Sequence, residues 1–440
     1  YSYIYHKIRH FSGHITVPGD KSISHRALMF GAMALGKTSI KNLLMAHDVM
    51  HTKSAMRALG ADIVAPESST EFSIQGVGVG GFKEPENILD FGNAGTGSRL
   101  TMGLVAPYDF STTFTGDASL CKRPMGRILT PLQQMGVKAF GRSGQRLPLT
   151  LVGAEDPVPI DYTCPVASAQ VKSAILLAGL NCPGTTFVRE KIKTRDHTEK
   201  MLKFFGADIE TYFEDDHYVI ALKGYPTLEA QNIIVPADPS SAAFPIVAAI
   251  ITEDSQVTIE NVLLNPERAG LFETLKDMGA DIEITNQRQQ GGEDIGDITA
   301  RSSRLKGIDV PKERVSSMID EFPILCVAAA VAEGTTSMRG LEELRVKESD
   351  RIHAMVGGLK KIGVHVKEFE DGMDILGGDI IGGRHIETFM DHRIAMSFLI
   401  AGAVAQNSVS IDNGAFIATS FPHFDTIMNM HGLHIEEIAA

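Results

Sequence analysis

The chain has 440 residues, 43% of them hydrophobic and 22% charged, a length that suits two or three domains with apolar cores. A net charge of −13 argues against nucleic acid as a partner, but small anions remain open because a cleft on an acidic protein can be locally positive. No apolar run reaches the roughly 18 residues that span a bilayer, since Ala242–Ile251 and Ile394–Ala405 are too short, so no membrane association is expected.

The opening residues, YSYIYHKIRH, have no apolar core followed by a small-residue cleavage site and do not read as a secretory signal. The strand after them, before Gly19-Asp20, stands outside the later pattern and is expected to complete the C-terminal half. From Asp20 onward a two-part pattern runs six times. Its first part is a small-residue helix, a turn and a strand of the T-x-Φ kind: HRALMFGAMALGKTSIKN, SRLTMGLVAPYDFSTTFTG, VKSAILLAGLNCPGTTFVRE, SAAFPIVAAIITEDSQVTIEN, FPILCVAAAVAEGTTSMRG and HRIAMSFLIAGAVAQNSVSIDN. Such composition predicts buried, closely packed helices. The second part is a helix that ends at a glycine before an alternating strand, as in MRALGADIV, LQQMGVKAF, LKFFGADIE, LKDMGADIEI, LKKIGVHVK and MNMHGLHIE. The glycines Gly60, Gly136, Gly206, Gly279, Gly363 and Gly432 recur every 69 to 84 residues, where a helix can close on a left-handed residue. Six α/β units of about 73 residues therefore account for nearly the whole chain. Pro236, Pro239 and Ser240-Ser241 interrupt the pattern after three units, so two domains are expected, 20–237 and 1–19 plus 238–440.

A polar cluster stands before each small-residue helix: Asp20–Arg26, Asn93–Arg99, Ser168–Lys172, Asp238–Ser241, Ser316–Glu321 and Asp391–Arg393. Helix N-termini carry free N–H groups and a positive dipole end, so each is suited to an anion. If the units close into two domains, these ends can converge on one cleft. In GDKSISHRA, Lys21 is a flexible cation, Ser22 a hydroxyl donor and Arg26 a planar fork for phosphate or carboxylate; a capped helix with surface charges is the competing interpretation. His25 reads as structural. In FGNAGTGSRL, Gly92 and Gly97 bracket four residues as in a P-loop, but Ser98-Arg99 stands where Lys-Ser/Thr would. LCKRPMGRI places Arg123 before a proline, which alone is a weak signal. Asp320, after Met318-Ile319, reads by default as the N-cap of an apolar helix. In RVKESDRIHAM, Lys347 and Arg351 share a face if the segment is helical; a solvated ion-pair face would account for the same run of charges. The four cysteines are scattered without a C-x-x-C pair, and no H-E-x-x-H occurs, which favours reduced thiols in a cytoplasmic protein and gives no metal site.

Taken together, PGDKSISHRA, GNAGTGSRL, KRPMG, SAQVKSA, DEFPIL, LRVKESDRI and DHRIAMS closely resemble the EPSP synthase (3-phosphoshikimate 1-carboxyvinyltransferase) family, over essentially the whole chain. The resemblance implies an α/β (α+β) fold, a two-domain inside-out α/β barrel of six repeated units. GDKS, SAQVK and Arg195-Asp-His-Thr-Glu199 are similar to its class II branch. A further class II pattern, Asn-x-Thr-Arg, stands here as Asn265-Pro-Glu-Arg268, with Glu267 replacing the threonine. The related UDP-N-acetylglucosamine enolpyruvyl transferases are the runner-up. They carry a reactive cysteine five residues before the loop Arg-Pro, where this chain has Ala118; Cys121 lies two residues before Arg123. A P-loop phosphotransferase and a non-catalytic phospholigand binder of the same fold also compete, at greater distance from these motifs.

What the resemblance implies is transfer of the enolpyruvyl group of phosphoenolpyruvate to the 5-hydroxyl of shikimate 3-phosphate, on the route to chorismate and aromatic amino acids. It proceeds by addition and elimination in a monomer, without a metal or organic cofactor. By the same resemblance, Lys21, Ser22, Arg26, Ser168, Ala169, Gln170, Arg195, Asp320 and Lys347 meet shikimate 3-phosphate. Lys21, Gly95, Arg123, Gln170, Arg351, His392 and Arg393 meet phosphoenolpyruvate. Asp320 is the expected acceptor of the 5-hydroxyl proton, Glu348 the group for proton traffic at the methylene carbon, and Lys21 a link between both substrates. Cations from both halves would repel until an anion arrives, so the domains are expected to be open without ligand. Many relatives place a lysine shortly before a terminal Thr-Phe-Pro, whereas Thr419-Ser420-Phe421-Pro422 stands here. Herbicide-tolerant class II relatives carry alanine at the position of Gly95, so glyphosate is expected to compete with phosphoenolpyruvate in this chain.

Overall fold

The small-residue segments form helices that are buried on nearly every side. In the computed structural model, which describes residues 2–5, 10–65 and 71–438, they are Lys21–Met33, Gly95–Val105, Ala169–Gly179, Pro239–Ile251, Phe322–Val331 and His392–Gly402. Every residue of His392–Gly402 is buried. Their small side chains let them pack closely. A Cβ on Gly103 would lie 2.3 Å from the carbonyl oxygen of Ala174, so only glycine permits the approach of Gly95–Val105 to Ala169–Gly179.

The second helix of each unit buries one face and ends on its glycine. Gly60, Gly136, Gly206, Gly279, Gly363 and Gly432 all have φ between 93° and 119°. In each copy the glycine N–H donates to the carbonyl three residues back, and the next N–H to the carbonyl five back. Gly60 N–H to Arg57 (3.0 Å) and Ala61 N–H to Met56 (3.1 Å) are one such pair. This Schellman closure satisfies the last carbonyls and turns the chain into the following strand.

Each unit carries one sheet, and among the described residues five sheets have four strands and one has three. In the second unit Leu89–Asp90 pairs parallel with Ser111–Thr115, across the buried helix. Ser111–Thr115 then pairs antiparallel with Arg146–Val152, and that strand with Lys138–Arg142. The parallel step needs a helical crossover, and the antiparallel steps need only short connections. The three-stranded sheet, Thr335–Met338, Gly372–Leu376 and His365–Phe369, gains an isolated parallel bridge from Asp309 to Ser337, and Lys306 bridges Glu333 just before the first strand.

Three sheets borrow a strand from elsewhere in the chain. The first unit takes Asn232–Ile234 against Lys37–Lys41. The fourth takes Ser12–His14 against Gln256–Leu263. In the sixth, Ser2–Tyr5 lies between Val409–Ile411 and Ile435–Ile438. The chain divides into two compact units, one of residues 19–235 with 290–293, the other of residues 1–18, 236–289 and 294–440. Among the described residues no helix is long and apolar enough to cross a membrane.

Candidate active site

In the unit built mainly from residues 19–235, the polar clusters at three buried-helix starts are tied together by side chains. Asp20 caps Lys21–Met33 by accepting from the Ile23 N–H at 2.8 Å. Lys21, the first helical residue, places its Nζ 2.6 Å from the buried carboxylate of Asp48. Ser22 follows, and its carbonyl accepts from Arg26 Nη1 at 3.0 Å. Arg26 also donates from Nε to Thr198 Oγ1 (2.8 Å) and from Nη2 to Ser173 Oγ (3.0 Å). These neutral oxygens orient the guanidinium. Buried His25 shares a 2.7 Å hydrogen bond with Thr52 Oγ1. Burial, helped by Lys21 and Arg26, holds its imidazole pKa well below the ordinary value, so it stays neutral, in keeping with a structural role.

Gln170 joins the second cluster to the third. Its Nε2 donates to Thr96 Oγ1 at 3.0 Å, and its Oε1 accepts from Arg99 Nη1 at 2.8 Å. Ser168 caps the helix that begins at Ala169. By contrast, Ala94 offers Gly95–Val105 no side-chain cap, which leaves that N-terminus to backbone N–H groups, the arrangement that suits an anion. Arg123 stands beside it, donating from Nη2 to the carbonyl and Oδ1 of Asn93, both at 2.9 Å. A Cβ on Gly95 would lie 2.5 Å from Arg123 Nη1. Arg195 lies in the irregular segment before the helix His197–Phe204.

In the other unit a single guanidinium gathers the carboxylates. Arg351 is 1% exposed. It donates from Nη1 to Asp320 (3.2 Å), from Nη2 to Glu348 (2.6 Å), and from Nε and Nη2 to Asp391 (2.9 and 3.3 Å). Asp391 also caps His392–Gly402 through the Arg393 N–H and accepts from Ser349 Oγ. His392 Nδ1 is hydrogen-bonded to Ser420 Oγ, so segment 419–422 supplies a hydroxyl to the imidazole. Phe389 and Met390, just before Asp391, both have positive φ (55° and 57°). Such backbone is unfavourable for bulky residues and gathers at sites that must hold a special shape.

Two local expectations are corrected. Asp320 does not cap the apolar helix: Phe322–Val331 has Glu321 at its N-cap, and Asp320 belongs to the preceding 3-10 segment Lys312–Glu321. Lys347 and Arg351 do not share a helical face. Lys347 ends the 3-10 turn Glu342–Val346 in an extended conformation, and Asp350 starts a new helix at Arg351 by accepting from the His353 N–H.

The sequence pattern of the family EPSP synthase (3-phosphoshikimate 1-carboxyvinyltransferase) matches residues 5–428. The chain belongs to the EPSP synthase family. It is 57% identical to the 3-phosphoshikimate 1-carboxyvinyltransferase of Parvibaculum lavamentivorans over 421 residues, 94% of this chain and 93% of that one. With the enzyme of the same name from Jannaschia sp. it shares 56% over 433 residues, 98% and 96% of the two chains. The solved EPSP synthase of Acinetobacter baumannii superposes with a TM-score of 0.85 at 44% identity, covering 99% of this chain and all of that one.

The EPSP synthase family's motifs do not reveal several buried partners of the site. Asp48, the partner of Lys21, lies outside every motif, and although Ser173 stands in SAQVKSA and Thr198 in RDHTE, neither motif shows that both accept from Arg26. Lys172 sits inside SAQVK and Glu199 inside RDHTE, yet their pairing is invisible in either motif. Lys172 Nζ lies 2.7 Å from Glu190 and 3.2 Å from Glu199. Burial pushes the Glu199 carboxyl up to about 7 despite the nearby lysine. The lysine's own pKa is raised because the two carboxylates outweigh its burial. Arg268, the final residue of the altered Asn-x-Thr-Arg pattern, is buried and donates to Asp238 (3.2 Å) and Ser240 (3.1 Å).

Proposed function

We propose that this protein transfers the enolpyruvyl group of phosphoenolpyruvate to the 5-hydroxyl of shikimate 3-phosphate and releases phosphate. The observation that carries this reading is the hub at Arg351, whose rigid fork holds Asp320 and Glu348 on two different nitrogens. A proton acceptor and a proton carrier are thereby fixed by one planar group rather than by two flexible side chains. Asp320 takes the proton of the 5-hydroxyl as that oxygen bonds to the central carbon of phosphoenolpyruvate. Glu348 serves the methylene carbon, which gains a proton in the addition and loses one when phosphate leaves. Each such transfer contributes on the order of 10²–10⁴ in rate.

Lys21, Ser22, Arg26, Ser168, Ala169, Gln170 and Arg195 receive shikimate 3-phosphate, with Asp320 and Lys347 at its ring hydroxyls. Lys21, Gly95, Arg123, Gln170, Arg351, His392 and Arg393 receive phosphoenolpyruvate. The uncapped helix start at Gly95, with Arg123 beside it, supports an anion there. The reaction needs no metal or organic cofactor, since cations and helix termini supply the positive charge. We place the protein in the cytoplasm, where its four free cysteines stay reduced. It acts as a monomer, because one chain carries every group the reaction requires.

A phosphate-release assay with both substrates, omitting each in turn, tests the proposal. Release is expected only when both are present. Release that required ATP, or UDP-N-acetylglucosamine in place of shikimate 3-phosphate, would overturn it.

A further inference from the structure

Thr194, the residue before Arg195, is held on three sides. Its N–H and its hydroxyl both donate to Glu190 Oε2, at 2.9 and 2.7 Å. Its carbonyl accepts from Lys172 Nζ at 3.1 Å. Lys172 is itself ion-paired with Glu190 and Glu199 and is fully buried. The segment that carries Arg195 has no secondary structure of its own between the strand Thr185–Glu190 and the helix His197–Phe204. An irregular segment is ordinarily a poor platform for a binding arginine, because its backbone keeps the freedom that binding must then remove.

We propose that Lys172 and Glu190 form a buried clamp on Thr194 that pre-sets Arg195 for the phosphate ester of shikimate 3-phosphate. The inference rests on the assignment of Arg195 to that substrate. Lys172 and Glu190 are positioning residues: they act through the backbone on either side of Thr194 and do not touch the ligand. The clamp also gives the two class II motifs one common purpose. The lysine of SAQVK and the final glutamate of RDHTE meet in one buried cluster, and the arginine of RDHTE is what that cluster steadies. Two charged partners suit this task because charge-assisted bonds are shorter and more directional than neutral ones. A buried pair also has no water to exchange with.

The test is a double-mutant cycle read by calorimetric titration of shikimate 3-phosphate, with steady-state kinetics alongside. Glu190→Gln keeps the side-chain shape and removes the charge. It is expected to weaken shikimate 3-phosphate binding about tenfold, with the KM for phosphoenolpyruvate changed less than twofold. In an Arg195→Ala background the same substitution is expected to have no further effect. Thr194→Val deletes only the hydroxyl bond to Glu190, leaves no buried charge unpaired, and is expected to weaken binding about threefold by the same route. It keeps the proposal testable if Glu190→Gln does not fold. Equal losses from either variant with and without Arg195, or no loss at all, would overturn the clamp while leaving the role of Arg195 intact. Unchanged binding in Arg195→Ala alone would overturn the assignment of Arg195, and the clamp with it.

Discussion

Arg351 and Asp391 form a fully buried ion pair with two contacts, at 2.9 and 3.3 Å, and Asp391 also starts the helix that carries His392 and Arg393. One carboxylate thus fixes both the guanidinium that gathers Asp320 and Glu348 and the N-terminus next to it. Removing one partner of a buried pair costs about 3–5 kcal/mol. Asp391→Ala is therefore expected to lower stability by several kcal/mol in denaturant unfolding. Arg351→Lys keeps the charge but loses the fork, and is expected to cut turnover about a hundredfold with a smaller loss of stability.

Asp320→Ala and Glu348→Ala separate catalysis from binding. Each is expected to lower turnover by about 10²–10⁴ while calorimetric affinity for shikimate 3-phosphate changes only severalfold. If affinity and turnover fell together, the carboxylates would be binding groups and not proton carriers.

Gly95 lies at the start of a helix without a positive φ, so alanine meets no backbone strain there. Its methyl meets Arg123 Nη1 at 2.5 Å and Arg99 Nη1 at 3.1 Å, and those flexible side chains must move. Gly95→Ala is expected to fold normally and raise the KM for phosphoenolpyruvate severalfold. The glyphosate concentration for half-inhibition should rise by more than tenfold, because a close contact costs more where less room remains. The unmodified protein should be inhibited competitively with phosphoenolpyruvate, and an inhibition curve flat into the millimolar range would contradict this.

Glu199 titrates at about 7 in the folded chain against 4.5 ordinarily, so between those values the folded state holds the extra proton. Its contribution to stability is present in full below the ordinary value and is lost as pH rises through about 7. The groups facing it are Lys172, Asp196 and Glu190. Glu199→Gln cannot titrate, so the stability difference between the two proteins should shift in favour of the variant from pH 5 to pH 8. Urea unfolding at several pH values measures that difference. A gap independent of pH would show that Glu199 stays ionised throughout.

Glycines that close helices and small residues that line buried ones were legible because both signals are local. A Schellman turn at Gly60 or Gly363 needs only the helix before it and the strand after it. Lys347 and Arg351 misled for a local reason too: their spacing suits a helix, but Asp350 breaks it by capping a new one. The partners of the charged groups were not legible. Thr198 is 172 positions from Arg26, and the pairing exists only once two repeats have packed. Recognition of the whole motif set carried the candidate residues, whereas the partners that hold them emerge only from the fold.

The borrowed strands bear on how the chain assembles during synthesis. Residues 2–5 leave the ribosome some four hundred residues ahead of their neighbours in the sheet, Val409–Ile411 and Ile435–Ile438. Ser12–His14 waits for Gln256–Leu263 in the same way. The three-repeat block that begins at Gly19 can close its sheets once Asn232–Ile234 is made. Strands made before the first block are thus among the last to find their places, and must stay unpaired while a complete set of sheets forms downstream of them.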